Sequence, residues 1–485
     1  MESNQKHRLN RLKLWLIMFM NIGNNMNNSS GISVPIKLLK KYDIPGPRYT
    51  SYPTAPIWTD KIGINEYKEN LKDASINDQT ISIYTHIPFC KRRCFYCGCN
   101  TCITNDPQNS LTYIEKLCDE IKQTAQLLAP RNKISQLHFG GGTPTYIGVD
   151  GLAKVLDCYE KYFEFNSGGE KSIEVDPRVT TTKQIDFLAS RGFNRVSFGI
   201  QDFNPDVQQA IGRVQPIDNV INLLKYCRSL NFKGINFDLI YGLPRQTVKT
   251  FKETIEKAIE LKPDRFAVYS FAYLPNMRAN QSMIKENELP TTDVKYNLFA
   301  QAVELFTNAG YKQIGMDHFA LPDDELSIAQ NDGRLHRNFM GYTVQSTEEM
   351  IGIGMSSIGY VNNAFFQNIS KIDSYKNSID RNSFAVYRGM RLSEDDLIRQ
   401  YVIKMLMCNF QLKFDLFYEK FNISYHDYFK EEHPNLKQFA DDGFMEISNE
   451  DLKITTLGRT FVRNIAMTFD AYLKGDNKPT FSRTI

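Results

Sequence analysis

The feature that most constrains the fold is a regular alternation of short apolar or β-branched runs with longer segments of helical period, beginning near residue 81. The strand-like runs occupy residues 81–87, 136–141, 172–176, 195–201, 234–243 and 265–272. Helix-like segments such as residues 111–128 and 247–261 lie between them, each with apolar residues on one face. This order is typical of a parallel sheet with right-handed crossovers. Six units predict an α/β fold, a (β/α)6 partial TIM-like barrel rather than a closed barrel of eight units.

The rest of the chain predicts smaller units on both sides of this barrel. We expect a helix at residues 291–310, a strand at 312–319, a short hairpin at 443–455 and an amphipathic helix at 459–473. Helices combined with a hairpin are typical of a small, mostly helical, winged-helix-like C-terminal domain. The expected units are a disordered extension (1–30), an N-terminal segment (31–80), the partial barrel (81–310), a barrel extension (311–391) and the C-terminal helical domain (392–485).

The first 30 residues resemble the front of a signal peptide. Basic residues precede a short apolar run at residues 15–20, but asparagine-rich sequence follows it and there is no clear small-residue cleavage site. The run is far shorter than the roughly 20 apolar residues that a membrane-spanning helix needs. We therefore interpret this stretch as disordered, with Met26 as an alternative start, and expect no membrane association.

Composition limits the partners and the compartment. The net charge of +3, with 42% hydrophobic and 23% charged residues, is ordinary for a globular protein, and the C-terminal unit shows no basic stripe, so we expect no nucleic-acid partner. Five of the nine cysteines fall within residues 90–102, and a large chain with this usage is not a disulfide framework. We infer a reducing, cytoplasmic compartment and expect a monomer. The other four cysteines are interpreted as small buried apolar residues: Cys118, Cys158, Cys227 and Cys408.

Residues that suit binding or catalysis lie at one end of the strand-like runs. In barrels of this kind functional residues follow the carboxyl ends of the strands. The cysteine-rich stretch follows the first strand and Gly140-Gly-Gly-Thr-Pro144 follows the second. Three successive glycines predict a close backbone approach with free peptide dipoles. Polar or small residues lie within or end the other four strands: Glu174, Gln201, Asp238 and Ala272.

The first three cysteines of this stretch have the spacing Cys90-x3-Cys94-x2-Cys97, and three interpretations of the stretch can be compared. Structural zinc usually takes two pairs of ligands, and the sequence has neither a second cysteine cluster nor a histidine pair to supply them. Disulfides disagree with the inferred compartment. Thiolates on a compact loop suit an iron–sulfur cluster, and three of them would hold three irons of a [4Fe–4S] cubane. The fourth iron would then keep the open position that distinguishes catalytic metal centres.

These motifs resemble those of the radical S-adenosylmethionine (SAM) superfamily and, within it, the oxygen-independent coproporphyrinogen III oxidase family. The three-cysteine motif alone is similar only to the superfamily. The combination is specific for the family and runs from about residue 38 to the C-terminus. Family-like segments are Gly46-Pro-Arg-Tyr-Thr-Ser-Tyr-Pro53, Tyr84-Thr-His-Ile-Pro-Phe-Cys90, Cys97-Gly-Cys-Asn100, Gly140-Gly-Gly-Thr-Pro-Thr145, Ile173-Glu-Val-Asp-Pro-Arg178, Ser197-Phe-Gly-Ile-Gln-Asp202, Phe237-Asp-Leu-Ile-Tyr-Gly-Leu-Pro244, Gly315-Met-Asp-His-Phe-Ala320 and Leu335-His-Arg-Asn-Phe339.

The resemblance implies a [4Fe–4S] cluster held by Cys90, Cys94 and Cys97, and two molecules of SAM. Positions that match contacts to the cluster-bound SAM are Tyr84, Gly141 and Glu174. Positions that match contacts to the second SAM are Tyr96, Gly142, Thr143, Gln201, Arg213, Asp238, Ala272 and Ile358. Tyr96 stands where phenylalanine is common in the family. Cys99 matches an extra cysteine that is not expected to bind iron, and Cys102 has no counterpart in the pattern, so its role is open.

The implied reaction is the conversion of two propionates of coproporphyrinogen III to vinyl groups, which gives protoporphyrinogen IX in haem biosynthesis. A 5′-deoxyadenosyl radical, made from SAM with one electron from the cluster, would remove hydrogen from the propionate, and carbon dioxide and one electron would then leave. The family implies an electron donor such as a flavodoxin or ferredoxin and an acceptor of unknown identity. Candidate anchors for the substrate carboxylates are Arg48, His336 and Arg337.

Two other functions share parts of this pattern. A related haem chaperone has the motif at residues 84–97 and much of the barrel, but it lacks the Gly-Cys after the third cysteine and the segment at 46–53, and both are present here. A radical SAM enzyme acting on RNA is disfavoured because no extra basic domain is visible. The sequence therefore favours the oxidase.

Overall fold

The computed structural model describes residues 36–344, 349–381, 383–474 and 481–484. The predicted disordered extension at residues 1–30 lies outside the described residues. In the described part of the chain, no helix is long and apolar enough to span a bilayer.

Strands and helices are numbered here in chain order. The strands are β1 (Ile81–Ile87), β2 (Phe89–Cys90), β3 (Cys102–Ile103), β4 (Lys133–Gly141), β5 (Glu164–Val175), β6 (Arg195–Gln201), β7 (Gly234–Tyr241), β8 (Arg265–Ser270), β9 (Lys312–Ile314), β10 (His318–Ala320), β11 (His336–Asn338), β12 (Gly341–Thr343), β13 (Met350–Ile353), β14 (Ile358–Val361), β15 (Ala364–Asn368), β16 (Val386–Arg391), β17 (Gln411–Lys413), β18 (Met445–Ile447) and β19 (Asp451–Ile454). The helices are α1 (Ile36–Tyr42), α2 (Ile64–Ala74), α3 (Pro107–Leu128), α4 (Gly148–Tyr162), α5 (Thr182–Ser190), α6 (Pro205–Ala210), α7 (Ile217–Ser229), α8 (Val248–Glu260), α9 (Thr292–Asn308), α10 (Glu325–Asn331), α11 (Ile372–Asp380), α12 (Glu394–Asn409), α13 (Phe414–Phe421), α14 (Tyr425–Tyr428), α15 (His433–Asp441) and α16 (Val462–Met467).

The main sheet has the strand order β16-β15-β14-β13-β1-β4-β5-β6-β7-β8-β10-β9. The strands from β13 to β8 in this order run parallel to their neighbours, and the flanking strands are antiparallel. All six predicted strands are present as β1 and β4 to β8. The order ends in β16 on one side and β9 on the other, so the barrel is partial, as predicted.

One parallel neighbour of β1 comes from far along the chain. Strand β13 pairs with β1 from Ser82 opposite Met350 to Thr85 opposite Ile353. Strand β1 therefore lies inside the sheet rather than at its edge, and six of its seven residues are buried. Nearly continuous burial is expected for a parallel strand that is covered on both faces.

The predicted strand at residues 312–319 is instead a tight hairpin of β9 and β10. Gly315, between the two strands, has a φ of +53°, and a Cβ there would collide with the ring and hydroxyl of Tyr342. Only glycine suits that turn. The glycine-rich stretch that follows contains strands β11 to β16, which the sequence pattern did not reveal.

The main core lies between the sheet and the helices that cover it. On α3, Ile114, Leu117 and Ile121 are at most 1% exposed, on the face that the sequence pattern predicted. The rings of Phe139 and Phe198 come from the strands and are fully buried. Burying a side chain of this size contributes about 1.5–3 kcal/mol. This packing sets the position of the strand ends.

A second core joins the C-terminal helices to the N-terminal segment. Tyr42, Tyr49 and Tyr52 pack in it with Phe461 and Ile465. The predicted hairpin at residues 443–455 is present as β18 and β19, and β17 completes a three-stranded sheet. This core gives the C-terminal unit its mostly helical, winged-helix-like form.

The predicted helix at residues 459–473 is shorter than expected. The α-helical part is α16, and 3-10 turns precede and follow it at Gly458–Phe461 and Ala471–Leu473. The backbone N–H groups of residues 468–470 donate to carbonyls three residues earlier, which tightens the last turn and ends the helix.

Arg463, on α16, ties both ends of the described chain to this core. Its guanidinium is 4% exposed and donates to the carbonyls of Gly46, Pro47, Arg483 and Thr484. Four carbonyls that would otherwise be buried without donors are thus satisfied by one side chain. Because an unpaired buried acceptor costs about 1–3 kcal/mol, this contact stabilises the second core strongly.

We predict that Arg463→Ala lowers the free energy of unfolding by about 2–4 kcal/mol, because several carbonyls lose their donor at once. Urea denaturation followed by circular dichroism measures this. Arg334→Ala is the matched control, since Arg334 is 59% exposed and pairs only with exposed Asp332; it should change stability by less than about 0.5 kcal/mol. Equal effects of the two substitutions would contradict the prediction.

Candidate active site

A cavity of about 530 Å³ opens at the carboxyl ends of the parallel strands. It brings together the three predicted metal ligands and eight of the predicted cofactor residues. These residues are Cys90, Cys94, Cys97, Tyr96, Gly141, Gly142, Thr143, Glu174, Gln201, Arg213 and Asp238. Residues that come from the loop after β1 and the ends of β4 to β7 therefore meet at one place, as the strand-end pattern predicted.

Three predicted residues do not line this cavity. Tyr84 lies in β1, where its ring stacks on His138 with ring centroids 5.9 Å apart. Ala272 follows β8, and its carbonyl accepts a hydrogen bond from Gln281. Ile358 begins β14 and packs against the cluster that contains Trp58.

The cysteine loop is closed by a short pair of parallel strands. Phe89 lies opposite Cys102 in the β2–β3 pair, and the N–H of Cys102 donates to the carbonyl of Pro88 over 2.7 Å. Cys102, whose role the sequence left open, therefore closes the loop through its backbone. The thiol of Cys90 lies 3.4 Å from the hydroxyl of Thr143, across from the glycine turn.

Two side chains that the sequence analysis missed hold the loop from the opposite side. Asn280 donates from its amide to the carbonyls of Cys94, Phe95 and Cys97 at 2.9–3.2 Å. Gln281 donates to the carbonyl of Tyr96 at 3.0 Å. Both lie in the 3-10 turn Ala279–Met283, in a stretch whose sequence has no periodicity that could single them out.

Cys94 is the most enclosed of the three predicted ligands. It is 8% exposed, and Arg178 and Arg213 each place a guanidinium nitrogen 3.7 Å from its sulfur. Asp176 bridges the two guanidinium groups, 2.7 Å from Arg178 and 3.0 Å from Arg213. Burial favours the neutral acid, but the charges of Arg213 and Arg178 outweigh it and hold the pKa of Asp176 below its usual value. The carboxylate is therefore ionised.

The peptide N–H groups of the glycine turn at residues 141–143 are not free, contrary to the expectation from the sequence. The N–H groups of Gly141, Gly142 and Thr143 donate to Glu174, to the carbonyl of Ile87 and to the carbonyl of Phe89. The prediction of free peptide dipoles here is therefore wrong. Gly141 has a φ of +117°, and a Cβ on Gly142 would lie 2.6 Å from the Pro88 carbonyl oxygen, so the glycines are needed for packing against the cysteine loop.

Glu174 faces the cavity from β5. Its side chain is 44% exposed because it faces this open space, and its carboxylate accepts the Gly141 N–H over 3.1 Å. Surrounding protein favours the neutral acid, but hydrogen bonding to His138 and Gly141 outweighs this and lowers its pKa. Glu174 is thus a carboxylate with room for a ligand.

Asp238, on β7, is the second carboxylate in this region. It accepts hydrogen bonds from Ser197 at 2.9 Å and Asn236 at 2.8 Å. Burial, together with the nearby charge of Glu174, raises its pKa to about 7. Glu174 is therefore ionised at pH values below 7 at which Asp238 still holds its proton.

Gln201 ends β6 in a strained conformation. Its φ is +69°, in the left-handed region that non-glycine residues rarely adopt, and its side chain is buried at the cavity wall. Within the described residues its amide makes no hydrogen bond. A buried, strained and unpartnered polar side chain is typical of a ligand-binding position.

The three candidate substrate anchors do not line this cavity, although Arg48 lies 5.9 Å from the ring of Tyr269, which does. Arg48 and Arg337 both approach Asp317, which also accepts from His318 at 2.8 Å. Arg337 is almost fully enclosed and lies 5.0 Å above the ring of Tyr342. His336 and Arg337 line a separate cavity of about 70 Å³, together with residues 49–52.

Comparisons with known proteins agree with these features. Residues 84–258 match the radical SAM superfamily, and residues 392–461 match the HemN C-terminal domain. The chain is 41% identical over 458 residues to the oxygen-independent coproporphyrinogen III oxidase of Salmonella typhimurium, covering 93% of this chain and 98% of that protein. It is 40% identical over 451 residues to the protein of that name from Escherichia coli, with the same coverage. The solved structure of the Escherichia coli coproporphyrinogen III oxidase, described as a radical SAM enzyme, superposes with a TM-score of 0.87 at 39% identity, over 92% of this chain and all of that one.

We predict that Asp238 makes stability fall between about pH 4 and pH 7. The folded protein keeps a proton on Asp238 up to about pH 7, whereas the unfolded chain releases it near 3.8. The stability that the folded protein keeps by holding this proton is fully present below pH 3.8 and is lost as the pH rises to about 7. In urea denaturation of the iron-free protein, the wild type should lose about 2–3 kcal/mol between pH 5 and pH 8 that Asp238→Asn retains. Parallel pH curves for the two proteins would contradict this.

Proposed function

The chain belongs to the family of oxygen-independent coproporphyrinogen III oxidases, and on that basis we propose that it converts two propionates of coproporphyrinogen III to vinyl groups, giving protoporphyrinogen IX. The observation that carries the proposal is a near-full-length likeness to this family in a chain whose three matching cysteines line a single cavity. The protein acts as an oxidoreductase of porphyrin biosynthesis.

Members of the radical SAM superfamily use a [4Fe–4S] cluster and SAM, and this chain uses both. Cys90, Cys94 and Cys97 would hold the cluster. When bound, it supplies the electron that cleaves SAM to the deoxyadenosyl radical, which removes hydrogen from the substrate.

The residues around the three cysteines are chemically suited to hold a [4Fe–4S] cluster. The guanidinium groups next to Cys94 place positive charge and N–H donors beside its sulfur, which suits an anionic cluster. In a cubane each cysteine binds a separate iron, so the three sulfur atoms need not converge on one point. Among the described residues, no three His, Cys, Asp or Glu side chains form a site for a single metal ion.

We propose that two SAM molecules bind in two neighbouring regions. Gly141 and Glu174 at the ends of β4 and β5, together with Tyr84 in β1, serve the SAM nearest the cluster. The side chains on β6 and β7 and on the loops around them serve the second, chiefly Gln201, Arg213 and Asp238. The support is that one cavity is lined by the ionised carboxylate of Glu174 and also by the buried amide of Gln201 and the guanidinium of Arg213. Tyr96, Gly142 and Thr143, which line the same cavity, and Ala272 and Ile358 would complete the second region.

The side chains of this protein position and shield the reactants. Asp176 fixes both guanidinium groups, so Arg213 keeps its direction toward Cys94 and the cavity. Ser197 and Asn236 hold the carboxylate of Asp238 from two sides. Because these polar groups are held before any ligand arrives, binding needs little reorganisation.

Electron balance sets the partners that we propose. Each SAM cleavage consumes one electron, which a protein such as a flavodoxin or ferredoxin would supply. Each propionate loses one hydrogen atom, carbon dioxide and one electron, and that electron passes to an acceptor. We propose that the protein acts as a monomer in the cytoplasm.

One anaerobic assay tests the function. Protein reconstituted with iron and sulfide is given a reductant, SAM, coproporphyrinogen III and cell extract as the source of an acceptor. Protoporphyrin products and 5′-deoxyadenosine should form together. If SAM is cleaved normally without decarboxylation, the substrate is a different molecule. Stable one-to-one haem binding without decarboxylation would favour the related chaperones.

We predict that Cys94→Ala loses most of the reconstituted iron and that its 5′-deoxyadenosine formation falls to background, because one iron of the cluster has no ligand. Iron analysis and electron paramagnetic resonance of the reduced protein measure this. Cys102→Ser is the matched control from the same loop, and it should keep most of its iron since Cys102 closes the loop through its backbone. Loss of iron in both variants to the same extent would count against the assignment of ligands.

We predict that replacing Gln201 reduces SAM binding from two molecules per chain to one, measured by equilibrium dialysis of the reconstituted protein. Gln201→Ala and Gln201→Gly should both show this loss. Gln201→Gly should nevertheless unfold with about 1 kcal/mol more stability than Gln201→Ala, because glycine relieves the left-handed strain at φ +69°. Binding of two SAM molecules by both variants would remove Gln201 from the second region.

A further inference from the structure

Two cysteines outside the cavity contact each other on the outer helix layer. Cys118 lies on α3 and Cys158 on α4, and the two thiols are close enough to shift each other's pKa. The sulfur of Cys118 also lies 3.7 Å from the carbonyl oxygen of Lys154, one helical turn before Cys158. Both residues are half-buried at the edge of the main core. The expectation that they are simply buried apolar residues is therefore wrong for this pair.

The other cysteines of the described chain do not combine these properties. Cys227 and Cys408 are buried, as the sequence predicted. The cysteines of residues 90–102 belong to the loop that would hold the cluster. Cys118 and Cys158 thus form a separate thiol pair that a small solvent-borne reagent can reach.

The surroundings make the two thiols chemically different. The neighbouring Cys118 thiol favours a thiolate on Cys158 and lowers the pKa of Cys158, and the positive charges of Lys154 and Lys161 add to this. The proximity of Cys158 in turn raises the pKa of Cys118. Asp157 and Asp119 act in the opposite direction to the lysines. Cys158 is the better nucleophile of the pair at neutral pH, and Cys118 remains a thiol beside it.

We propose that Cys118 and Cys158 form a peroxide-reactive dithiol site that is oxidised to an intramolecular disulfide. The Cys158 thiolate attacks one oxygen of hydrogen peroxide, which breaks the O–O bond, leaves a sulfenic acid on Cys158 and releases hydroxide. The Cys118 sulfur then attacks the Cys158 sulfur, the S–S bond forms and water leaves. Hydrogen peroxide gains two electrons and the two thiols lose two, so the exchange is balanced.

Such a disulfide would join the two helices that lie behind the proposed active site. Helix α3 follows the cysteine loop, and α4 follows the glycine turn after β4. On the inner face of α3, Tyr113 donates to the carbonyl of His86, and Glu120 accepts the N–H of Gly354. The cross-link is reversible, because thiol–disulfide exchange with an external dithiol restores both thiols.

The test uses the full chain reconstituted with its cluster under anaerobic conditions. Hydrogen peroxide is added in stoichiometric amounts, free thiols are alkylated, and the protein is digested without reductant for mass spectrometry. The expected product is a linked peptide pair with Cys118 and Cys158, lighter by two hydrogen atoms than the sum of the two peptides. Treatment with dithiothreitol should abolish it. The readout does not depend on turnover, so it stands or fails independently of the proposed function.

Serine variants separate the steps of the reaction. Cys118→Ser should accumulate a sulfenic acid on Cys158 that dimedone traps, and Cys158→Ser should show little sulfenic acid on Cys118. Cys227 is the internal control for unspecific oxidation and should stay reduced. The proposal is overturned if native protein gives no linked pair while Cys158 proceeds to sulfinic acid, or if Cys118 and Cys158 alkylate no faster than Cys227 in the untreated protein.

Discussion

The site depends on how firmly the backbone of the cysteine loop is held. The loop at residues 90–102 contains neither a helix nor a long strand, so its shape comes from hydrogen bonds made with its surroundings. The β2–β3 pair closes its base, and Asn280 and Gln281 donate to four successive carbonyls on its far side. The glycine turn packs against Pro88 and Phe89, which lead into the cysteine loop. A metal cluster binds most tightly to ligands that are already close to their final positions, since less chain entropy is then lost.

The surroundings of the cysteine loop also fix the buried positive charge of Arg213. Arg213 is 6% exposed, and burying a guanidinium is costly unless it is paired and fully hydrogen-bonded. Asp176 and the carbonyl of Gly199 accept from its two terminal nitrogens and hold the charge in place, while its buried Nε has no hydrogen-bond partner among the described residues. The terminal nitrogen that meets Asp176 also approaches Cys94. The same position of Arg213 therefore allows both its pairing with Asp176 and its contact with the sulfur of Cys94.

The sequence could predict those parts of the fold and of the site that a local residue pattern determines. Alternation gave the six strands, and the rule that function follows strand ends brought Cys90, Glu174, Gln201 and Asp238 to one cavity. It could not predict that β13, more than 250 residues away, inserts beside β1, because pairing between distant segments leaves no local periodicity. Asn280 and Gln281 were missed for the same reason: their amides act on a loop far away in the chain. The expectation of free peptide N–H groups at the glycine turn was wrong because these groups donate within the protein, and close packing against Pro88 requires glycine there.

The two carboxylates of the cavity give a physical reason for the kind of ligand it takes. Glu174 is ionised, and burial together with its charge raises the pKa of Asp238, so Asp238 holds a proton that an isolated aspartate would have released. A neutral ligand would leave that unfavourable pair unchanged, and an anionic ligand would make it more unfavourable. A ligand that carries positive charge between the strands relieves it and makes the second carboxylate easier to ionise. In the proposed second region, SAM would bring a sulfonium and an ammonium group against a single carboxylate, so its binding would be coupled to release of a proton from Asp238, and its affinity there would rise as the pH approaches 7.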